Sequence, residues 1–152
     1  MKVRIVSFLV VGALSLAATA LPAQEAQQAP LVTKAGPIPA PQPGKGQIIF
    51  YRPGSMMGMA LGCTVHEGDA EIARLGSGKY WVHNAEPGKH TYNTEAENKD
   101  TLNLEIEPDE TYYVKCKIGM GIVAGRPNIS PSDRAEFAKK AKGLNLWKPK
   151  GD

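Results

Sequence analysis

The sequence predicts an all-β protein, an antiparallel β-sandwich of about seven strands followed by one short C-terminal helix. From about residue 46 the chain consists of short segments in which apolar and polar residues alternate. Each segment ends at Gly, Pro, Asn or Asp, so turns recur about every 8–12 residues, a spacing typical of sandwiches and small barrels. One segment with helical spacing of its apolar residues comes last.

The seven predicted strands are rich in β-branched and aromatic residues, which favour sheets. In chain order they read QIIFYR, LGCTVHE, EIARL, KYWVHNA, HTYNTEA, TLNLEIE and TYYVKCKI. The turn from Glu86 to Lys89 carries Pro and Gly where a type II turn requires them. Together these strands predict a β-sandwich domain over residues 46–128.

The C-terminal segment 129–152 is predicted to form the helix and a tail. Ser130 is the expected N-cap, Pro131 takes the first helical position, and Gly143 is the stop signal. The apolar residues of this segment that fall on one side of the helix are Phe137, Ala138, Ala141 and Leu144.

Residues 1–23 have the pattern of a secretory signal peptide. Lys2 and Arg4 precede an apolar run, and small residues follow it around two candidate cleavage points, after Ala20 or after Ala23. An uncleaved membrane anchor is the alternative, but a spanning helix needs about 20 uninterrupted apolar residues. We expect a periplasmic or secreted protein with no integral membrane segment in the mature chain.

The segment 24–45, QEAQQAPLVTKAGPIPAPQPGK, is crowded with Pro, Ala and Gln. Prolines favour extended polyproline geometry and cannot donate to a sheet ladder, so we expect a disordered linker here. The alternative is a ligand for a proline-binding groove.

The charge balance argues against a nucleic-acid partner. The chain holds 18 Lys and Arg against 15 Asp and Glu. Cleavage of the leader removes two basic residues and no acidic one, which leaves a net charge of +1. That charge gives no general attraction to a polyanion.

Two uses compete for the soft side chains of the stretch RPGSMMGMALGCTVHEG. Met57 and Met59 form a Met-x-Met pair, and His66 could join them as a copper ligand. Cys63 lies an odd number of positions from His66, so the two face opposite ways in a regular strand unless a bulge intervenes. Flexible packing of the methionines is the alternative to a metal site.

Cys63 and Cys116 are the two cysteines of the chain. In an oxidising compartment an even count favours a disulfide, and both residues fall on the apolar sides of their predicted strands. Two separate buried thiols are the alternative.

No motif marks a catalytic site, so we expect a protein that is not an enzyme and that needs no cofactor. Trp81 and His83 lie on one side of their predicted strand and form a candidate surface for a glycan or a protein of the cell envelope. Packing within the core is the alternative for such aromatic residues.

Three stretches, IIFYRPGS, GKYWVHNAEPGKHTYNTEA and LEIEPDETYYVKCKIGMG, resemble a bacterial domain-of-unknown-function family, number 2846. The resemblance covers roughly Gly44 to Gly125 and implies a secreted or envelope β-domain without a known activity. Many members are lipoproteins, whereas this chain has no cysteine near its leader for acylation.

Taken together, the sequence predicts a non-catalytic secreted or periplasmic module of the cell envelope with a binding or structural role. A periplasmic copper-binding protein is the alternative.

Overall fold

The computed structural model describes residues 29–95, 99–121 and 125–149. The predicted signal peptide, its two cleavage points, the first residues of the predicted linker and the end of the tail lie outside these residues. The described chain forms eleven strands and one helix, in the order β1 (Val32–Thr33), β2 (Gly36–Pro37), β3 (Gly46–Arg52), β4 (Cys63–Glu67), β5 (Ala70–Leu75), β6 (Lys79–Ala85), β7 (Gly88–Glu95), β8 (Lys99–Ile106), β9 (Thr111–Gly119), β10 (Arg126–Ser132), α1 (Arg134–Ala141) and β11 (Asn145–Leu146).

The all-β class predicted from the sequence is confirmed, and the seven predicted strands correspond to β3–β9. One sheet has the order β10-β9-β3-β6-β11 and the other the order β5-β4-β7-β8, while β1 and β2 form a separate hairpin. The larger sheet is mixed rather than purely antiparallel, because β3 pairs in parallel with β9 and β6 pairs in parallel with β11. Between β3 and β9 the chain passes through β4 and β5 of the other sheet, returns in β6, and crosses again through β7 and β8.

Strand β3 is the centre of the molecule, and all seven of its residues are buried. Ile48 and Phe50 pack towards the four-stranded sheet, in the core between the two sheets. Ile49 and Tyr51 point the other way, into a second core beneath α1. Alternation of side chains along one strand therefore supplies both cores.

The helix begins later than the sequence predicts. Asp133, and not Ser130, is the N-cap, and its carboxylate accepts a hydrogen bond from the backbone N–H of Glu136 at 2.7 Å. Ser130 instead lies in β10, where it pairs with Lys115 of β9. β10 is an edge strand, so one of its sides has no neighbouring strand. Its prolines, which have no backbone N–H, therefore cost no ladder hydrogen bond on that side. The β-domain therefore extends to residue 132, past the expected boundary at 128.

The predicted disordered linker must also be corrected, for residues 29–45. The β1–β2 hairpin packs on the second core through the partly buried Leu31 and Ile38. Thr33 shares a hydrogen bond of 3.0 Å with the hydroxyl of Tyr80, and the N–H of Lys34 donates to the Leu144 carbonyl at 3.0 Å. Apolar residues between the prolines explain why this segment packs against the domain.

Within the described ranges, no helix is long and apolar enough to cross a membrane.

Candidate functional site

A disulfide joins the two sheets. Cys63 at the start of β4 and Cys116 in β9 have sulfur atoms 1.96 Å apart and Cα atoms 6.5 Å apart. Both side chains are fully buried in the core between the sheets. The pairing expected from the sequence is present, so Cys63 is not available as a metal ligand.

The residues of the predicted copper site lie on different parts of the fold. Met57 and Met59 belong to the β3–β4 loop and are 55% and 66% exposed. His66 lies inside β4, opposite Asn93, just after a bulge that follows Val65. Among the described residues no group of three or more His, Cys, Asp or Glu is placed to hold a metal. The copper site stays a prediction.

Trp81 and Trp147 lie side by side where β11 runs along β6. The N–H of Trp147 donates to the Tyr80 carbonyl at 2.8 Å, which extends the line of β11 by one residue. Leu144 and Leu146 pack into the core beneath α1. Because side chains alternate along an extended chain, Trp147 faces the other way, towards Trp81. The two indole rings are perpendicular, with centroids 5.2 Å apart.

These two rings form one wall of a surface cleft of about 670 Å³, here called the tryptophan cleft. Strand β5 supplies the opposite wall, with the exposed Glu71 and Arg74 and the partly buried Ile72. A guanidinium offers several N–H donors and a carboxylate offers acceptors, so apolar and hydrogen-bonding groups converge. A volume of this size is typical of small-ligand sites.

His83 does not line this cleft, although the sequence predicts that it shares a surface with Trp81. It belongs to a second cluster, built around the carboxylate of Glu67 between the two sheets. Glu67 Oε1 lies 2.5 Å from His90 Nδ1, and Glu67 Oε2 lies 3.9 Å from His83 Nε2. The His90 ring also stacks on Tyr92, with centroids 6.1 Å apart and planes inclined by 8°.

The two histidines of this cluster have pKa values shifted in opposite directions. Burial lowers the pKa of His83, and the more distant Glu67 opposes this only in part. Burial also disfavours the charged form of His90, but its hydrogen bonds to the Glu67 carboxylate and the Glu86 carbonyl outweigh that effect and raise its pKa. Burial raises the pKa of Tyr92, so its hydroxyl stays neutral.

We expect the two histidines to give opposite pH dependences of the free energy of unfolding. The contribution of His90 is fully present below its ordinary pKa of about 6.5 and is lost as the pH rises through the raised native pKa. The contribution of His83 is present above about 6.5 and is lost as the pH falls towards the lowered native pKa, because the unfolded chain takes up the proton first.

Urea unfolding between about pH 5 and about pH 8 checks this prediction, since histidine changes its charge in that range. His90→Gln should remove the loss of stability at the alkaline end, and His83→Gln should remove the loss at the acidic end. Equal pH profiles for both variants would contradict the assignment. Thr101→Ala, on an exposed position of β8, is the control and should reproduce the wild-type profile.

Comparison with known proteins places the chain in a family. The family model described as "Protein of unknown function (DUF2846)" matches residues 42–128, more than half of the chain. The chain belongs to this family. No curated protein and no solved structure gives a match.

The family match ends before residue 147, so the tryptophan cleft of this DUF2846 protein combines the family domain with the C-terminal segment. Trp147, Glu71 and Arg74 were not predicted as site residues from the sequence. One signal was available for Trp147, because the apolar alternation of Leu144 and Leu146 indicates a short strand with Trp147 on its other face. No local signal indicated that this strand pairs with β6.

Proposed function

We propose that the protein is an exported, non-catalytic binding module of the bacterial cell envelope, and that the tryptophan cleft binds a glycan. The signal-peptide pattern of residues 1–23 supports export. The buried disulfide between Cys63 and Cys116 is consistent with an oxidising compartment, where such bonds form and persist.

The observation that carries the proposal is the perpendicular pair of Trp81 and Trp147 facing the charged wall of β5. A sugar ring has an apolar face that stacks on an aromatic ring and a rim of hydroxyls that needs donors and acceptors. The cleft offers both, since Glu71 and Arg74 stand opposite the indoles. Their opposite charges favour a ligand that is neutral overall or carries both signs.

An extended peptide is the second candidate, and the outer edge of β6 favours it. The Tyr80 carbonyl bonds to β11, so the backbone groups of Val82 and Asn84 point to the same edge. Within the described part of the chain no strand pairs with that edge beyond Tyr80. Pro149, which lies nearby, has no N–H with which to continue the ladder. A peptide strand could continue it.

Binding assays with the separated components of the cell wall test the proposal. The full chain, expressed with its own leader, is titrated calorimetrically with peptide-free glycan strands and, separately, with cell-wall stem peptides. We expect the glycan to bind and Trp147→Ala to weaken this binding at least about tenfold, because a stacked aromatic face is lost. Arg74→Gln should weaken it less.

Lys139→Ala is the control, since this exposed lysine lies on α1 and outside the cleft. It should bind as the wild type does. Binding of stem peptides alone would replace the glycan by the second candidate. Absence of binding to either component, or an unchanged affinity of Trp147→Ala, would refute the cleft as the binding site. Sequencing of the secreted protein's N-terminus tests export independently.

A further inference from the structure

The exposed apolar side chains are concentrated at one end of the fold. Among the described residues, six large hydrophobic side chains are exposed, and five of them lie in the β3–β4 loop or directly after β9. We call these five the methionine tip: Met56, Met57, Met59, Leu61 and Met120. Met56 and Met120 project furthest, with 93% and 82% of their surface exposed. Apolar patches of this kind mark interaction sites on soluble domains.

The loops that carry the tip are packed against each other. Met57 and Leu61 from one loop and Met120 from the other line a single shallow depression of about 320 Å³. At Gly125 a Cβ would lie 2.3 Å from Leu61 Cδ1, so any side chain there would displace Leu61. Gly58 is equally constrained, with a φ of +61° and a Cβ position 2.7 Å from Ile118 Cγ2. Through this close fit the described residues of the two loops form one surface.

A buried arginine holds the first loop from below. Arg52 is 2% exposed, and its guanidinium donates to the carbonyls of Gly58, at 2.6 Å, and Leu61, both within the loop. It also donates to the Leu75 carbonyl at 3.3 Å, which fixes the loop to β5. Because these hydrogen bonds anchor the backbone of the loop, the methionines are exposed in the folded protein and not as a result of local unfolding.

Positive charge flanks the tip. Met57 also lines a second cavity of about 310 Å³, whose wall includes the exposed Lys117 and Lys140. Lys115 in the same wall is paired with Glu136, the one acidic residue of this lining. The wall as a whole therefore carries a positive balance. Its partner should present negative charge beside an apolar layer.

We propose that the methionine tip docks onto a lipid bilayer that contains anionic phospholipids. Side chains that project from a surface suit insertion between headgroups, whereas a partner helix would need an elongated groove. Unbranched thioether side chains adapt to a fluid surface. Lys117 and Lys140 then face the phosphates, and each basic residue near such a surface adds to the affinity.

Sedimentation with vesicles tests this inference. The full chain, secreted with its own leader, is incubated with vesicles of phosphatidylglycerol and phosphatidylcholine and with vesicles of phosphatidylcholine alone. We expect sedimentation with the anionic vesicles and much less with the neutral ones. The double variant Met56→Ser/Met120→Ser should bind about tenfold more weakly, because it removes the apolar insertion. Lys117→Gln/Lys140→Gln should have a similar effect and should weaken the salt dependence.

Val32→Ser is the matched control, because Val32 is the sixth exposed hydrophobic residue and lies in β1, outside the tip. It should bind as the wild type does, and thermal melts should show that all variants fold. Absence of sedimentation with anionic vesicles would overturn the inference. Unchanged binding by the methionine variant would also overturn it. So would displacement of the vesicles by soluble polyglutamate to the same extent from the wild type and from the methionine variant, since the partner would then be an acidic polypeptide.

Discussion

Replacing both Cys63 and Cys116 with alanine should lower the free energy of unfolding by about 4 kcal/mol. The bond spans 53 sequence positions. In the chain-entropy model a cross-link of this length lowers the conformational entropy of the unfolded chain, which corresponds to about 4 kcal/mol of stability. It also ties β4 of one sheet to β9 of the other, in the middle of the shared core. Urea unfolding monitored by circular dichroism measures the difference.

The wild-type protein reduced with dithiothreitol is the control for this variant. If the cross-link itself supplies the stability, the reduced wild type and the double alanine variant should unfold at nearly the same urea concentration. A loss of less than about 1 kcal/mol, the size of an average substitution, would show that the unfolded chain is already restricted by other means. Since small domains are stable by only about 5–15 kcal/mol, the protein should depend on an oxidising compartment.

The strands of the sandwich could be predicted because their signals are local. Glu86 and Pro87 separate β6 from β7, and the alternation in TLNLEIE corresponds to β8 with its exposed and half-buried positions. Each of these signals lies within about ten residues of the strand it predicts. The disulfide could also be predicted from the sequence, because the chain has only two cysteines and both fall on the apolar sides of their strands.

The remaining elements depend on contacts between distant parts of the chain. β11 has two residues and exists because it pairs with β6 more than sixty positions earlier. The β1–β2 hairpin is likewise held by Tyr80 and Leu144. β10 contains Pro127 and Pro131, which normally argue against a strand, and only its place at the sheet edge permits them.

The candidate site follows the same division. Trp81 was found from its own strand, but its neighbour Trp147 required the β6–β11 pairing. The cluster of Glu67, His83 and His90 draws on three strands from two sheets, so no spacing in the sequence relates these residues. Strand alternation shows which face a side chain occupies, whereas the partner across that face depends on the packing of the whole domain.

Phe137→Ala should destabilise the protein by about 3–5 kcal/mol, the range measured for removing a buried aromatic ring. Phe137 is fully buried, and its ring contacts Tyr51 and Tyr113 with centroid distances of 5.1 and 5.4 Å. An isolated helix needs about 12–15 residues even for marginal stability, so the eight residues of α1 depend on this packing. The helix in turn covers Ile49 on the outer face of β3. Urea unfolding measures the loss.

Two further variants separate the contribution of the ring from that of the helix itself. Phe137→Leu keeps an apolar side chain of smaller volume and should cost about 1–2 kcal/mol, less than Phe137→Ala, because it leaves a smaller cavity. Lys139→Ala changes an exposed position of the same helix and should lie within about 0.5 kcal/mol of the wild type. If Phe137→Ala lost no more than Phe137→Leu, α1 would not be needed to cover the central strand. In that case hydrogen exchange of the Phe137→Ala variant should show that the backbone amides of β3 stay protected even though those of α1 exchange rapidly.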